Sequence, residues 1–571
     1  MGRYYILYMG EIKQCNCLDF LSGLLKNSYL KAETLRKELT DVREYNITIA
    51  PRIAIISNSV DFLNKSIESY SGLFEVIPIY MGKLTFRECY TAYDIKIEGK
   101  EYKYKIFIKS YAPIDFEKCS WCGECFKVCP ENAIDLDLNI DYGLCSLCKK
   151  CEQVCKDNAI TIDRLESIEY DVSFIITDDK KILSDVLTEW GKVYDINELD
   201  KVFEKVGEFN VLEIVKHDND ICQYSPKLDY GCKRCIESCE YEAISTDDEG
   251  IVVNHLNCVG CGKCISVCPT GAMQNGYLKD ETFVKYFQTL DLPKDIFVVL
   301  GEEEELRKFC WVNDINKLEN LILLPLDPRY FNTFHYLFLF AIGASKVFIL
   351  NERLKENEQI KFSNKLLEFL FKYKEFISIL DNYRLNKQSE LINPLKNLYK
   401  NFSFSTRRKK LAAILQFLYK ESIVSNILIK DNILDIFGNV LLDKDECTLC
   451  LACVNHCKIG ALVAKEEDFS LNHTPAFCIQ CGICEYVCPE NAIEIASGLL
   501  LADEFFSMKV LNKDEPMVCP ECGKVFGNKK SYDSVVVKLK AAGLFETKGT
   551  YLNYCESCRV KKLFEEGADV R

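Results

Sequence analysis

Twenty-eight of the 32 cysteines in this 571-residue chain fall into short, regular clusters whose spacing suits metal ligation. The pattern C-x2-C-x2-C-x3-C occurs at Cys119, Cys122, Cys125 and Cys129, and again at Cys145, Cys148, Cys151 and Cys155. It returns at Cys258, Cys261, Cys264 and Cys268, at Cys447, Cys450, Cys453 and Cys457, and at Cys478, Cys481, Cys484 and Cys488. A sixth copy is stretched, with nine residues between Cys222 and the run Cys232, Cys235, Cys239. A secreted miniprotein would use such cysteines for disulfides, but this chain is large and Met1–Gly10 carries no secretory signal. The spacing is that of metal ligands.

The flanks repeat as well. VCPENAIDLD (128–137), VCKDNAITID (154–163) and VCPENAIEIA (487–496) are near copies, and SCEYEAISTD and VCPTGAM are weaker ones. One small unit is used six times, in pairs. A [4Fe–4S] cube needs four thiolates, and three cysteines two residues apart can wrap three of its corners. In this respect the chain resembles the bacterial-type dicluster ferredoxins, three times over.

That resemblance implies exchange of the fourth cysteine within each pair. It assigns Cys119, Cys122, Cys125 and Cys155 to one cluster and Cys145, Cys148, Cys151 and Cys129 to its neighbour. In the middle module it groups Cys258, Cys261, Cys264 and Cys239, then Cys222, Cys232, Cys235 and Cys268. In the third it groups Cys447, Cys450, Cys453 and Cys488, then Cys478, Cys481, Cys484 and Cys457. The total is six [4Fe–4S] clusters. Without Cys222 the stretched site would hold three irons. The family's proline after the fourth cysteine is kept after Cys129, Cys268 and Cys488, and replaced by Lys, Glu and Lys after Cys155, Cys239 and Cys457.

Near the C-terminus Cys519, Cys522, Cys555 and Cys558 form two C-x2-C knuckles across a helix-sized spacer. They fit a closed tetrahedral zinc site, with a mononuclear iron of rubredoxin type as the alternative. Cys15, Cys17, Cys89 and Cys310 remain, and scattered packing cysteines explain them better than a seventh cluster. His456 and His255 lie near cluster cysteines and read as loop histidines. The run Arg407, Arg408, Lys409, Lys410 starts a predicted helix, where cations oppose the helix dipole. It reads as a solvated charge run rather than a docking patch.

These motifs need elements to carry them. Alternating apolar runs predict an N-terminal α/β domain over 1–112, before ferredoxin module 1 over 113–166. DVSFIITDD, an apparent helix and a further strand predict a small α/β insert over 167–217, before module 2 over 218–282. DIFVVLG, NLILLPLDP and KVFILNE alternate with helices, predicting a doubly wound parallel sheet over 283–390. A mostly helical segment is expected over 391–440, module 3 over 441–500 and a four-cysteine zinc-ribbon-like domain over 501–571. The fold class is thus α+β and α/β multidomain, three dicluster modules separated by α/β spacers. The apolar stretch 331–350 reads as a buried helix running into a strand, not a membrane span.

A net charge of −15 disfavours a general nucleic-acid binder. Each oxidised cluster with its thiolates would add about two negative charges. G-x-G-x-x-G and G-x4-G-K-[ST] are absent, and no catalytic constellation is visible. The expectation is a cytoplasmic electron-transfer protein, without a catalytic site of its own, relaying low-potential electrons between redox partner proteins. Its architecture is similar to that of polyferredoxins, whose partner is often a molybdopterin oxidoreductase such as formate dehydrogenase. The alternative is the iron–sulfur subunit of a heterodisulfide-reductase-like or flavin-dependent complex, with a cofactor in the 283–390 domain.

Overall fold

The computed structural model describes residues 23–86, 89–100, 102–178, 193–195, 198–313, 320–385, 392–424, 426–429, 434–545 and 551–567. The chain divides into two compact units, one of residues 44–211 and one of residues 1–43 with 212–571. Helix α1 (Gly23–Glu38) belongs to the larger unit, and α2 (Val60–Tyr70) and α3 (Leu199–Phe203) to the smaller.

The smaller unit is built on a six-stranded sheet. Its strands are β1 (Arg52–Ser57), β2 (Glu75–Tyr80), β3 (Tyr90–Lys100), β4 (Lys103–Tyr111), β5 (Leu165–Val172) and β6 (Phe174–Thr177). They lie in the order β5-β4-β3-β2-β1-β6. The expected separation of 1–112 from a 167–217 insert therefore does not hold: β5 and β6 are strands of the same sheet as β1–β4. β5 pairs antiparallel with β4 from Tyr104↔Val172 to Tyr111↔Leu165, and β6 pairs parallel with β1. β1 and β6 bury Ile53–Ile56 and Phe174–Thr177 completely, as strands covered on both faces do. Module 1 leaves the sheet at the end of β4 and returns at the start of β5. Its base is closed by Arg164 Nε donating to the Ala112 carbonyl at 2.5 Å and by the Ile114↔Ile160 bridge. The helix expected after DVSFIITDD falls largely outside the described residues.

The larger unit centres on a four-stranded all-parallel sheet of β7 (Ile296–Leu300), β8 (Leu321–Leu324), β9 (Ala344–Ile349) and β10 (Ile377–Ile379). Its order is β8-β7-β9-β10. Helix α4 (Asp280–Leu290) packs against α1, where the Tyr286 hydroxyl donates to Glu33 at 2.8 Å. α1 is thus part of this core and not of an N-terminal domain. α5 (Thr333–Ala341) is buried on every side and runs into β9. Among the described residues no helix is long and apolar enough to cross a membrane.

α6 (Arg407–Glu421) packs on α5 and is the one long helix described between 391 and 440. Among the described residues the expected helical segment is otherwise non-helical, with Ile427–Ile429 pairing with Leu499–Leu501. The boundary expected at 500 also falls inside a fold. β11 (Leu462–Lys465), β12 (Ser470–His473) and β13 (Lys509–Lys513) form one antiparallel sheet, so the C-terminal segment completes module 3.

Candidate metal centres

Each cysteine repeat is a loop followed by a single helical turn. In the five regular copies the second cysteine lies between two residues of left-handed backbone: Trp121 and Gly123, Leu147 and Lys149, Gly260 and Gly262, Leu449 and Leu451, Gln480 and Gly482. That alternation curls the chain so that successive thiols face one centre. A further left-handed residue precedes the alanine that recurs in each repeat, at Asn132, Asn158, Glu242, Gly271, Gly460 and Asn491. Asn and Gly take that conformation most readily, which explains the NA and GA dipeptides of the repeats.

The turn after the fourth cysteine then aims a main-chain N–H back at its sulfur. Ala133 donates to Cys129 Sγ, Ala159 to Cys155 Sγ, Ala243 to Cys239 Sγ and Ala492 to Cys488 Sγ, each at 3.3 Å. Met273 to Cys268 Sγ and Leu462 to Cys457 Sγ make the same bond at 3.4 Å. Such bonds stabilise a thiolate and, on a cluster ligand, tune potential.

The thiols gather in fours. Cys129, Cys145, Cys148 and Cys151 line one recess of about 320 Å³ including its open mouth. Cys447, Cys450, Cys453 and Cys488 line another, of about 330 Å³. Cys264 lies within electrostatic reach of Cys258, Cys261 and Cys239, and Cys484 of Cys478, Cys481 and Cys457. Cys119, Cys125, Cys129, Cys145, Cys151 and Cys155 share one packed cluster, Cys125 within reach of Cys119 and Cys122. In each of these groups from modules 2 and 3, and in the first recess, the fourth cysteine comes from the partner repeat.

Burial drives the Cys235, Cys264 and Cys484 thiols well above the ordinary range. It pushes Cys151 and Cys232 up to about 11, and Cys453 and Cys481 up to about 12. Bare thiolates are unfavourable there, so ionisation needs a cation at the centre, which cluster iron supplies. The donor set therefore fits an iron–sulfur cube.

The stretched copy keeps this geometry by folding its insertion into a hairpin. Tyr224–Ser225 pairs with Tyr230–Gly231, and the Cys232 N–H donates to the Gln223 carbonyl at 2.8 Å. The buried Cys222 thus stands beside Cys232, within reach of Cys268, and Cys235 lies within reach of all three. Gly231 retains the left-handed residue before the cysteine, whereas Lys233 after it does not.

At the C-terminus the four thiols of Cys519, Cys522, Cys555 and Cys558 lie within 4.8 Å of one another. The Cys522–Cys555 separation is 3.6 Å. A tetrahedron of ~2.3 Å Zn–S bonds has edges of about 3.8 Å, so the set fits a zinc-ribbon-like site. Burial would raise Cys519, but N–H donors from Cys555, Cys522 and Glu521 bring it down to about 6. Cys89 stands in the smaller unit and Cys310 in the helix Glu303–Val312 of the larger, while Cys15 and Cys17 lie outside the described residues.

The basic run is not a solvated face. Arg407, Arg408 and Lys410 are buried and only Lys409 is exposed. Arg407 binds Asp280 through Nε at 2.7 Å and Nη2 at 2.9 Å, and donates through Nη1 to the carbonyls of Ile265 and Cys268. Arg408 donates to the carbonyls of Ala476 and Cys478. The one sequence signal was negative: four cations at a helix start oppose the helix dipole and so are not there for helix stability.

Comparison with known proteins agrees with the repeats. Residues 230–272 and 446–493 match families described as 4Fe-4S dicluster domains. Residues 112–135 and 138–161 match the 4Fe-4S binding domain. A protein of Staphylococcus haemolyticus carrying the provisional name formate dehydrogenase is 29% identical over 133 residues, 18% of this chain and 14% of that one. A similarly named protein of Staphylococcus aureus (strain USA300) is 29% identical over 114 residues, 15% of this chain and 12% of its own length. The chain thus spans about an eighth of the length of the relatives it matches. Domains of this type are iron–sulfur electron carriers. With three of them repeated along one polypeptide, the chain is a polyferredoxin-like repeat protein.

Proposed function

We propose that the chain holds six [4Fe–4S] clusters on the 24 cysteines grouped above, and one zinc on Cys519, Cys522, Cys555 and Cys558. Through them it relays low-potential electrons between a catalytic oxidoreductase and an acceptor. What carries this reading is the convergence of thiols with exchange of the fourth cysteine, each fourth sulfur receiving a main-chain N–H. A single cluster can staple a fold. Pairs place clusters within tunnelling reach, which stapling does not require.

The partner we propose is a molybdopterin enzyme of the formate dehydrogenase kind, supported by the names of the relatives above. Anaerobic purification of the untagged native protein tests both parts. The expected product contains about 24 iron, about 24 acid-labile sulfide and about one zinc per chain. It is also expected to bring down a large molybdenum- or tungsten-containing subunit. An iron content near eight would overturn the three-module reading. Full iron with flavoproteins as companions would overturn the molybdopterin partner alone.

A further inference from the structure

Modules 2 and 3 meet in the larger unit through their cysteine loops. Cys232 packs in one cluster with Cys457, Cys478, Cys481, Ile459 and Ile479. Tyr230 and Tyr486 stack across the junction, ring centroids 4.3 Å apart and 11° from parallel. Gln223 is buried in the same place, with Oε1 3.7 Å from Cys481 Sγ and Nε2 lacking a hydrogen-bond partner. The two ends of an amide exchange by a flip. With Cys481 as a cluster thiolate, the flipped amide donates Nε2–H to sulfur, and the orphaned donor is satisfied.

The first two residues of α6 reach one module each. Consecutive helical side chains diverge by about 100°. Arg407 therefore clasps module 2 at the Cys268 carbonyl, and Arg408 clasps module 3 at the Cys478 carbonyl. Both guanidinium groups are nearly sealed from solvent, at 2% and 1% exposure. Arg407 is neutralised by Asp280, itself held by His335 Nε2 at 3.2 Å. Arg408 has no carboxylate among its described contacts: it has two carbonyls, the face of Phe437 at 4.5 Å, and an Nη1 without a partner. A buried cation of this kind is costly unless an anion stands near it. A cluster on Cys478, with about two negative charges, is such an anion.

We propose that Arg407 and Arg408 are positioning residues for electron passage between modules 2 and 3. Arg408 is the counter-charge of the centre on Cys457, Cys478, Cys481 and Cys484. The two arginines together hold that centre against the one on Cys222, Cys232, Cys235 and Cys268, with Gln223 between them. One electron crosses, leaving the donor centre oxidised by one and the acceptor reduced by one, with no bond made and no proton moved. The inference rests on the ligand sets proposed above.

The test uses the full chain, loaded anaerobically, with iron and sulfide assayed on every sample. In the wild type, EPR of stepwise-reduced protein should show magnetic interaction between the two facing centres. Arg408→Gln should keep full iron and shift one centre to a more negative potential, because removing a positive charge disfavours the reduced form. Arg408→Lys should restore most of that shift, which a purely structural role would not predict. Should Arg408→Gln lose iron, Gln223→Glu decides: a negative charge between the centres should lower the potentials of both. Full iron with unchanged potentials in the variant that decides overturns the inference, as does a loaded wild type without the interaction. A wild-type deficit of iron at these modules overturns the cluster reading as well.

Discussion

Tyr111 and Tyr142 stack face to face, ring centroids 3.9 Å apart and 22° from parallel. Tyr111 is the last residue of β4 and Tyr142 sits between the cysteine repeats of module 1, so this pair joins the module to the sheet that carries it. Tyr142 also donates its hydroxyl to the Ile162 carbonyl at 2.5 Å. Tyr111→Ala should destabilise the module by about 3 kcal/mol. Tyr142→Phe should cost about 1 kcal/mol, the worth of one hydrogen bond. The measurement is bleaching of the visible absorbance in air, in which about a third of the chromophore should decay faster in the alanine variant.

Cys222→Ser tests the hairpin that bridges the nine-residue insertion. The thiol stands within reach of Cys232, Cys235 and Cys268, so losing it should convert one centre to three irons and leave the others. Oxidised protein should then give a three-iron EPR signal where intact clusters are silent. A spectrum identical to wild type would remove Cys222 from the ligand set.

His473 predicts an acid-labile module 3. Its Nδ1–H donates to the Ala461 carbonyl at 2.9 Å, and Nε2 accepts the Val440 N–H at 3.2 Å. Burial favours the neutral ring and lowers the group from 6.5 to about 4. A folded value below the unfolded one contributes stability that is complete above pH 6.5 and is lost as pH falls toward 4, about 3 kcal/mol in all. Unfolding midpoints across that window should fall, and His473→Gln should flatten the slope.

Glu242 is the one left-handed position before a repeat alanine that carries neither Asn nor Gly, at φ 50°. Glu242→Asn should raise stability by about 0.5–1 kcal/mol, since Asn takes this backbone at lower cost. Denaturant midpoints of the loaded protein check it, and a fall would mean that the glutamate's own contacts outweigh the strain.

Removing zinc should unfasten the C-terminal knuckles while sparing iron. Cys519→Ala or a zinc-selective chelator should release about one zinc per chain with the iron unchanged. Proteolysis should then cut between Val518 and the helix Glu556–Gly567, a span whose ends the four thiols bring together with the Lys562–Glu521 ion pair. Loss of iron in parallel would show the two kinds of site to be coupled.

The ferredoxin-type repeats were legible because their cysteines lie at short, regular intervals in the sequence. The strand Ile296–Leu300 was legible too, since a fully covered parallel strand is continuously apolar. Long-range partnerships were not. β5 reads LESIEYDV, a half-exposed strand whose place beside β4 depends on a register set across the whole of module 1. Arg407 and Arg408 look like surface residues until carbonyls more than 65 positions away are brought to them. Helix α1 gives no local sign that Glu33 meets Tyr286.

Because module 1 departs from β4 and re-enters at β5, its two ends are held side by side by strand pairing and by the Arg164–Ala112 contact. The sheet can close with the intervening chain still bare, as a long surface loop whose closure cost is met by the strands. If the proposed clusters occupy this module, its iron is expected to be deliverable after the domain has folded and removable without unfolding it.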